Sequence, residues 1–508
     1  MYCSNLKEVS LKNGLTSIGD KAFANCRKLE KIKLPSTLES IGRFAFTRTA
    51  IKTLAIPASV NEIGNNIALD CKNLKSISVD SRNSVYDSRR KCNAIIRTDG
   101  NILLQGCNST RIPDGIEIIA PYALAGMPDF KASDIPSSVR LILKMAFSFC
   151  TSIEKINIPA SVVYLDGNPF FGCSSVKSIT VQDGNPTYFS PAGSNAVISN
   201  GNSVKESMDE TVFSLREGYD FDFFETNWRF NVRTGRLVLG CRNTEIPEAA
   251  TSIGADAFAY CKGLEKISIP ERVFAIEGNA FIYCADLKEI VIPASVRLLE
   301  KSNYCPNLER IVIEEGNEAY DSRGNCNAII SIGNDELIWG CRNTVIPETV
   351  KGIGNGAFSH VPGLKTIVIP ESVTYIEAAA FQDCRDLEAI NIPASVIYLA
   401  GQHFDSPGYE SSKNPFENCP KLKSITVDSG NLYWDSRNNC NGIIETSARK
   451  LAVACSETVV PEIVKDRYYS AYGTTKEFRE RDYLDVGSVF FDGWIVEDGL
   501  FGIVEMDD

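Results

Sequence analysis

The stretch "YDSRGNCNAII" beginning at Tyr320 gathers a carboxylate (Asp321), a hydroxyl (Ser322), a guanidinium (Arg323) and a thiol (Cys326) into one short segment. Such a set suits nucleophilic catalysis, where a thiol needs a base within hydrogen-bond reach, or calcium binding through carboxylate oxygens. The string returns as "YDSRRKCNAII" from Tyr86, as "WDSRNNCNGII" from Trp434 and, altered, as "YFSPAGSNAVI" from Tyr188. A catalytic centre is rarely carried four times in one chain, so the segment reads as scaffold. On this reading Asp87, Asp321 and Asp435 cap a turn, and the arginines reach a neighbouring carbonyl or carboxylate. A calcium site combining these aspartates with Asp80, Glu314 or Asp428 lacks the regular ligand spacing of calcium loops. A Cys-His hydrolase would need His360 or His403, the only two histidines, beside a thiolate, and most cysteines fall at core positions where a thiol is inert. No residue is assigned a catalytic, metal-binding or cofactor-binding role.

What must position these residues is a short internal period. Aligning on cysteine gives "CRKLEKIKLP" from Cys26, "CTSIEKINIP" from Cys150, "CKGLEKISIP" from Cys261 and "CRDLEAINIP" from Cys384. Between them lie "LTSIGDKAFANC", "ATSIGADAFAYC" and "VKGIGNGAFSHV". The unit of about 22 to 23 residues is leucine-rich-repeat length. Leu29, Ile32 and Leu34 point inward from a short strand, Glu30, Lys31 and Lys33 point outward, and Pro35 ends the strand because it has no N–H to continue a ladder. Ala22 and Phe23 fit one helical turn on the back of the coil. Glu277 and Glu377 stand where other units have glycine, so a positive φ is not obligatory there. One coil buries too few apolar side chains to offset the entropy of ordering it, so coils must stack. The fold class expected is a leucine-rich repeat solenoid: a parallel β-sheet of about 17 coils, short helical turns on the back, and one β-hairpin per module of four coils.

The modules span 1–107, 108–241, 242–341 and 342–455. Three of the hairpins carry cysteines expected to face one another, Cys92 and Cys107, Cys326 and Cys341, Cys440 and Cys455, while in the second module Ser194 or Thr226 replaces the first cysteine and Cys241 remains. Facing positions of an antiparallel pair can meet disulfide geometry, and two buried thiols in contact are the alternative. Departures from the period lie near 190–226, with "REGYDFDFFETNW", and at 402–413. Because loops commonly carry recognition, Tyr219, Phe221, Phe223, Phe224 and Trp228 in the first, and His403, Phe404 and Tyr409 in the second, are candidate partner-binding residues. The same rings folded back on the solenoid are the alternative. Outward charges such as Glu154, Lys155, Glu289 and Arg310 read first as cross-strand pairs. Residues 466–508 leave the period and fit a terminal cap.

The residues "SIGDKAFANCRKLEKIKLPSTLESIG" resemble the BspA-type, Treponema-like leucine-rich repeats of bacterial surface proteins, and the likeness covers nearly all of 1–465 with Cys, Ile-Pro and Ala-Phe in register. The resemblance implies a secreted or cell-surface protein that binds protein or glycan partners, such as host matrix or other bacterial surface components, in adhesion and without catalysis. Members usually carry a leader and an anchor, and neither is visible; the start inside a repeat suggests a missing upstream part. A structural or self-assembling spacer is the alternative function, and the Cys-His hydrolase a further one. The net charge of -12 and the scattered Lys and Arg exclude a nucleic-acid-tracking surface, and no run of apolar residues reaches the length of a membrane span. Apolar residues at 44% support a large core.

Overall fold

Each repeat folds as one coil with two strands, and the strands pair in parallel with those of the next coil. A computed structural model describes residues 3–131, 135–201, 234–300, 305–399, 414–447 and 449–459, with Pro461 and two short strands, Val496–Glu497 and Leu500–Phe501. These residues pack as two compact units, Met1–Leu264 with Arg272–Phe281, and Glu265–Glu271 with Ile282–Asp508. Their turns number about 15, close to the coil count expected from the sequence.

In the first unit Glu8–Ser10 pairs with Lys31–Lys33, Thr53–Ile56 with Ser76–Val79, and Lys155–Ile158 with Ser178–Val181. The side chains alternate as the two-residue period requires: Leu54 and Ile56 are buried while Thr53 and Ala55 are exposed. Past each proline the chain turns, as in the bond from Leu38 N–H to the Pro35 carbonyl, and enters a second strand. Ser17–Ile18, Ser40–Ile41 and Glu62–Ile63 form one such parallel row. The second unit repeats the plan, with Glu289–Ile292 beside Arg310–Ile313 and Ala389–Ile392 beside Ser424–Val427.

The back of the coil differs from the helical turn expected. Among the described residues the only helical segments are the 3-10 turns Arg89–Lys91, Arg323–Asn325 and Arg437–Asn439, all inside the repeated "DSR" segment. The back instead carries left-handed residues four apart: Lys21 and Asn25, Phe44 and Arg48, Asp256 and Tyr260, Ala379 and Asp383. Their rotated peptides aim N–H groups along the stack, so Lys21, Phe23 and Asn25 donate to Arg43, Ala45 and Thr47 of the next coil at 2.8, 2.8 and 2.9 Å. A helical turn would keep those bonds within the coil and leave nothing to join its neighbour. Each left-handed non-glycine residue costs about 1–2 kcal/mol, which the coil-to-coil bonds must offset.

The core explains the recurring Phe and Cys. Phe147 stacks on Phe170 at 4.9 Å and 4°, and Phe381 stacks on Phe358 at 5.1 Å and on Phe416 at 5.4 Å. The cysteine beside each ring donates its thiol to the phenylalanine carbonyl one coil earlier: Cys71 to Phe46, Cys173 to Phe147, Cys384 to Phe358 and Cys419 to Phe381, at 3.0 to 3.2 Å. Cysteine suits this hole because it is small, buries well and still offers a weak donor.

Candidate functional site

The segment that suggested chemistry is bound up in structure. Asn317, buried, donates to the Pro293 and Val296 carbonyls at 3.0 Å each and accepts from Ala319 and Tyr320 N–H at 2.9 Å each. Asn83, Asn185 and Asn431 make the same four bonds. The Tyr320 hydroxyl accepts from Leu299 N–H at 3.1 Å, and Ser322 donates to the Ile311 carbonyl at 3.3 Å. Asp321 holds Arg323 through both its oxygens, Asp87 holds Arg89 and Asp435 holds Arg437. Asp80, the candidate calcium ligand, grips Arg82 with both oxygens, and that arginine holds its carboxyl down to about 2. The carboxylates of this segment therefore face guanidinium groups in a local clasp.

The hairpin cysteines do not face each other. The turn register is as the sequence suggests, with Ile102 opposite Arg97 and Leu103 opposite Ile96, but a bulge between Leu103 and Gln105 shifts the pairing by one residue. Cys107 therefore lies against Asn93, whose carbonyl accepts its thiol at 3.4 Å, and Cys92 packs with the coils that follow. The same bulge places Cys341 on the Asn327 carbonyl at 3.6 Å and Cys455 on that of Asn441 at 3.3 Å. A one-residue slip carries a side chain to the other face of the strand, which no midpoint count reveals. Cys92, Cys107, Cys326, Cys341, Cys440 and Cys455 are unbridged in this structure.

The strongest resemblance to a catalytic set was missed from the sequence. Ser359 Oγ lies 2.6 Å from His360 Nδ1, His360 Nε2 lies 3.1 Å from Asp383 Oδ2, and Asn418 donates to Asp383. The signal was available: His360 and Asp383 share one position of consecutive coils. Burial alone would raise the Asp383 carboxyl, yet the bond from His360, its charge, Asn418 and Arg385 together hold it below the usual carboxylate range. Ser359 is only 9% exposed, so its hydroxyl offers no approach to a substrate. Burial pushes the thiols of Cys71, Cys173 and Cys419 up to about 12, far from the thiolate a nucleophile needs.

Tyr219, Phe221, Phe223, Phe224, Trp228, His403, Phe404 and Tyr409 lie outside the described residues, as do the insertions that carry them and nearly all of the expected cap. The charged ladders are paired across coils, Lys52 with Glu30 at 2.6 Å, Lys177 with Glu154 at 3.1 Å and Lys421 with Asp386 at 2.7 Å, at side chains largely open to water. Such pairs contribute little to stability.

A different row of outward residues stands out. In the first unit the outward position two residues before each strand-ending Pro, or its equivalent, is polar or small: Ser10, Lys33, Ala55, Ser78, Asn157 and Thr180. In the second unit it is valine on five coils, Val291, Val312, Val345, Val368 and Val459, and polar at Ser268, Asn391 and Thr426. Val291 and Val312 are register partners. Val345 N–H donates to the Cys326 carbonyl at 3.0 Å, so the hairpin segment flanks it, while Asn343 of the same segment reaches the Glu309 carbonyl at 3.3 Å and Gly363 of the following coil rests against Arg342. Val345 is 72% and Val368 83% exposed. The row ends at Asn391, one coil further, where Thr366 bridges to Ala389.

Comparison with known proteins agrees with this architecture. The profile of the BspA type leucine-rich repeat region matches residues 1–92, 103–207, 239–332 and 338–441. Among curated proteins none matches the chain. The chain is similar to a leucine-rich repeat protein from Eubacterium ventriosum ATCC 27560 (17% identity, 81% of this chain and 87% of that one, TM-score 0.37). It is also similar to a leucine-rich cell surface protein from Faecalibacterium prausnitzii A2-165 (20% identity, 83% and 88%, TM-score 0.35).

Proposed function

Because the chain belongs to the BspA-type leucine-rich repeat family, we propose that it is a non-catalytic binding or adhesion protein of the bacterial cell surface. Its partner is a protein, met through the outward sheet face of the second unit. The valine row carries this reading. Val345 and Val368 sit nearly fully in water, where an apolar side chain gains nothing, on a face whose equivalent in the first unit is polar or small. Contiguous exposed apolar rows on an otherwise polar surface mark interaction sites. Stacked coils also give a partner an unbroken flat face to cover. Among the described residues no helix is long and apolar enough to cross a membrane.

The test is capture of a host-matrix preparation and of a bacterial surface extract on the immobilised full chain, beside its Val345→Lys/Val368→Lys double variant. Burying a valine contributes about 1.5 kcal/mol or more, so losing two weakens a genuine complex by at least about a hundredfold. A partner held by the unmodified chain and released by the variant supports the reading. Equal capture by both contradicts the assignment to this face, and no capture by either favours a spacer.

A further inference from the structure

One seam of the second strand row runs from each module's hairpin into the module that follows, and it differs among the first, second and third modules, each seam belonging to the module whose hairpin opens it. In the first module the seam is apolar and closed, with Ile102 beside Ile118 and Ile118 beside Leu141, all buried. In the second, Arg236, Ser252 and Ala275 take these places. Arg236 lies over Gly254, where an added Cβ would come 2.6 Å from its guanidinium carbon, and grips Glu277 on the next coil with two bonds, Nε to Oε1 at 2.8 Å and Nη2 to Oε2 at 2.5 Å.

In the third module the same places hold Glu336, Gly352 and Tyr375, with Glu377 where the second module has Glu277. Glu336 lies over Gly354 as Arg236 lies over Gly254, with an added Cβ only 2.4 Å from Oε1. The slot that holds a guanidinium in one module thus holds a carboxylate in the other, with Glu377 at the place of the glutamate that grips that guanidinium. The partners of Glu336 are neutral, the Tyr375 hydroxyl at 2.9 Å and Asn334 Nδ2 at 3.0 Å. Tyr375 lies flat across Gly352, where a Cβ would meet its ring at 1.9 Å, and Tyr398 is its register partner on the next coil. Burial, the bond to Glu336 and the charges of Glu336 and Glu377 push the Tyr375 hydroxyl up to about 12, so both carboxylates act on one ring. Glu336, Tyr375, Glu377 and Tyr398 are all half-buried, neither sealed nor freely solvated.

We propose that Glu336, Tyr375 and Glu377 form a receptor for the guanidinium of an arginine on a basic partner segment. In the second module Glu277, at the place of Glu377, already grips a guanidinium, supplied there by the chain's own Arg236. Carboxylates grip a guanidinium by paired, charge-assisted bonds, and a tyrosine face adds cation–π attraction. Lysine fits the fork less well, because its ammonium is a point charge without planar geometry. The chain's net charge of -12 favours approach of a basic segment. The site does not depend on the valine row, and the two are separable by mutation.

The experiment is fluorescence anisotropy of a labelled Gly-Arg-Gly-Arg-Gly peptide with the full chain, beside peptides carrying lysine or citrulline in place of arginine. Glu336→Arg reproduces the filled slot of the second module by pairing with Glu377, so it should fold normally by circular dichroism and bind the arginine peptide at least about tenfold more weakly. Glu336→Gln should lose about threefold and decides the matter if the arginine variant does not fold. Glu8→Arg, on the exposed strand of the first unit, changes net charge equally and should bind as the unmodified chain does. Val345→Lys/Val368→Lys should keep the arginine preference, whatever its own test shows. Equal binding of arginine and lysine peptides, an unaffected Glu336→Arg, or an equal loss in Glu8→Arg overturns the proposal.

Discussion

Replacing Phe381 with alanine lowers the unfolding free energy by about 3–5 kcal/mol, the cost of emptying a fully buried aromatic site. Phe381 is 0% exposed and is the middle ring of a column, 5.1 Å from Phe358 and 5.4 Å from Phe416, with interplanar angles of 1° and 7°. Its carbonyl also takes the Cys419 thiol, and its N–H donates to the Pro415 carbonyl, so its backbone is tied to the coil that carries Phe416. The cavity cannot collapse without shifting a coil that both strand rows hold in register. Urea unfolding followed by far-ultraviolet circular dichroism measures the change. A loss below about 1 kcal/mol, within the range of a surface substitution, would mean that the rings do not join coil to coil.

Asn317→Ala is expected to cost about 3–5 kcal/mol, while Asp321→Asn, four positions away in the same repeated segment, costs under about 1 kcal/mol. The alanine leaves two carbonyls and two N–H groups without the partner that Asn317 supplies, and the site is buried. Asp321 sits at the surface, where water replaces the arginine clasp. The contrast separates scaffold from site. A functional segment would show its larger effect at the charged residues and in binding, whereas a scaffold shows it at the asparagine and in stability. The reverse order in paired urea titrations would return the segment to candidate status.

The parts of the fold legible in the sequence are those where one hole accepts few side chains. Leu29, Ile32, Cys71 and Phe147 recur because each coil presents the same volume to its neighbour, and repetition makes that visible. The back of the coil was illegible because its left-handed positions hold Lys21, Phe44, Met145 and Ala379, none of which advertises a positive φ. Hydrogen bonds to the next coil hold that conformation, and they are not written in any single coil. The bulge between Leu103 and Gln105 was hidden for a related reason: pairing was counted outward from the turn, and an extra residue leaves no compositional mark. Candidate sites were harder still. Aromatic insertions drew attention as breaks in the period, while the valine row kept the period and differed only in what it presented to water. The seam at Glu336 emerges only when Arg236, Gly254 and Glu277 are set beside Glu336, Gly354 and Glu377, because neither set is unusual alone.

The claim beneath all of this is that successive coils are equivalent and interchangeable. Deleting residues 36–57 removes one whole coil and joins Pro35 to Ala58, leaving Lys31–Lys33 to pair with Ser76–Val79 and Ser17–Ile18 with Glu62–Ile63. Deleting residues 36–46 removes half a coil and puts strands against turns. Thermal unfolding of the two chains, followed by circular dichroism, is the direct measurement. Stacking predicts that the whole-coil deletion keeps a β spectrum and a cooperative transition while the half-coil deletion loses both over its unit. Equal damage from the two deletions would contradict it.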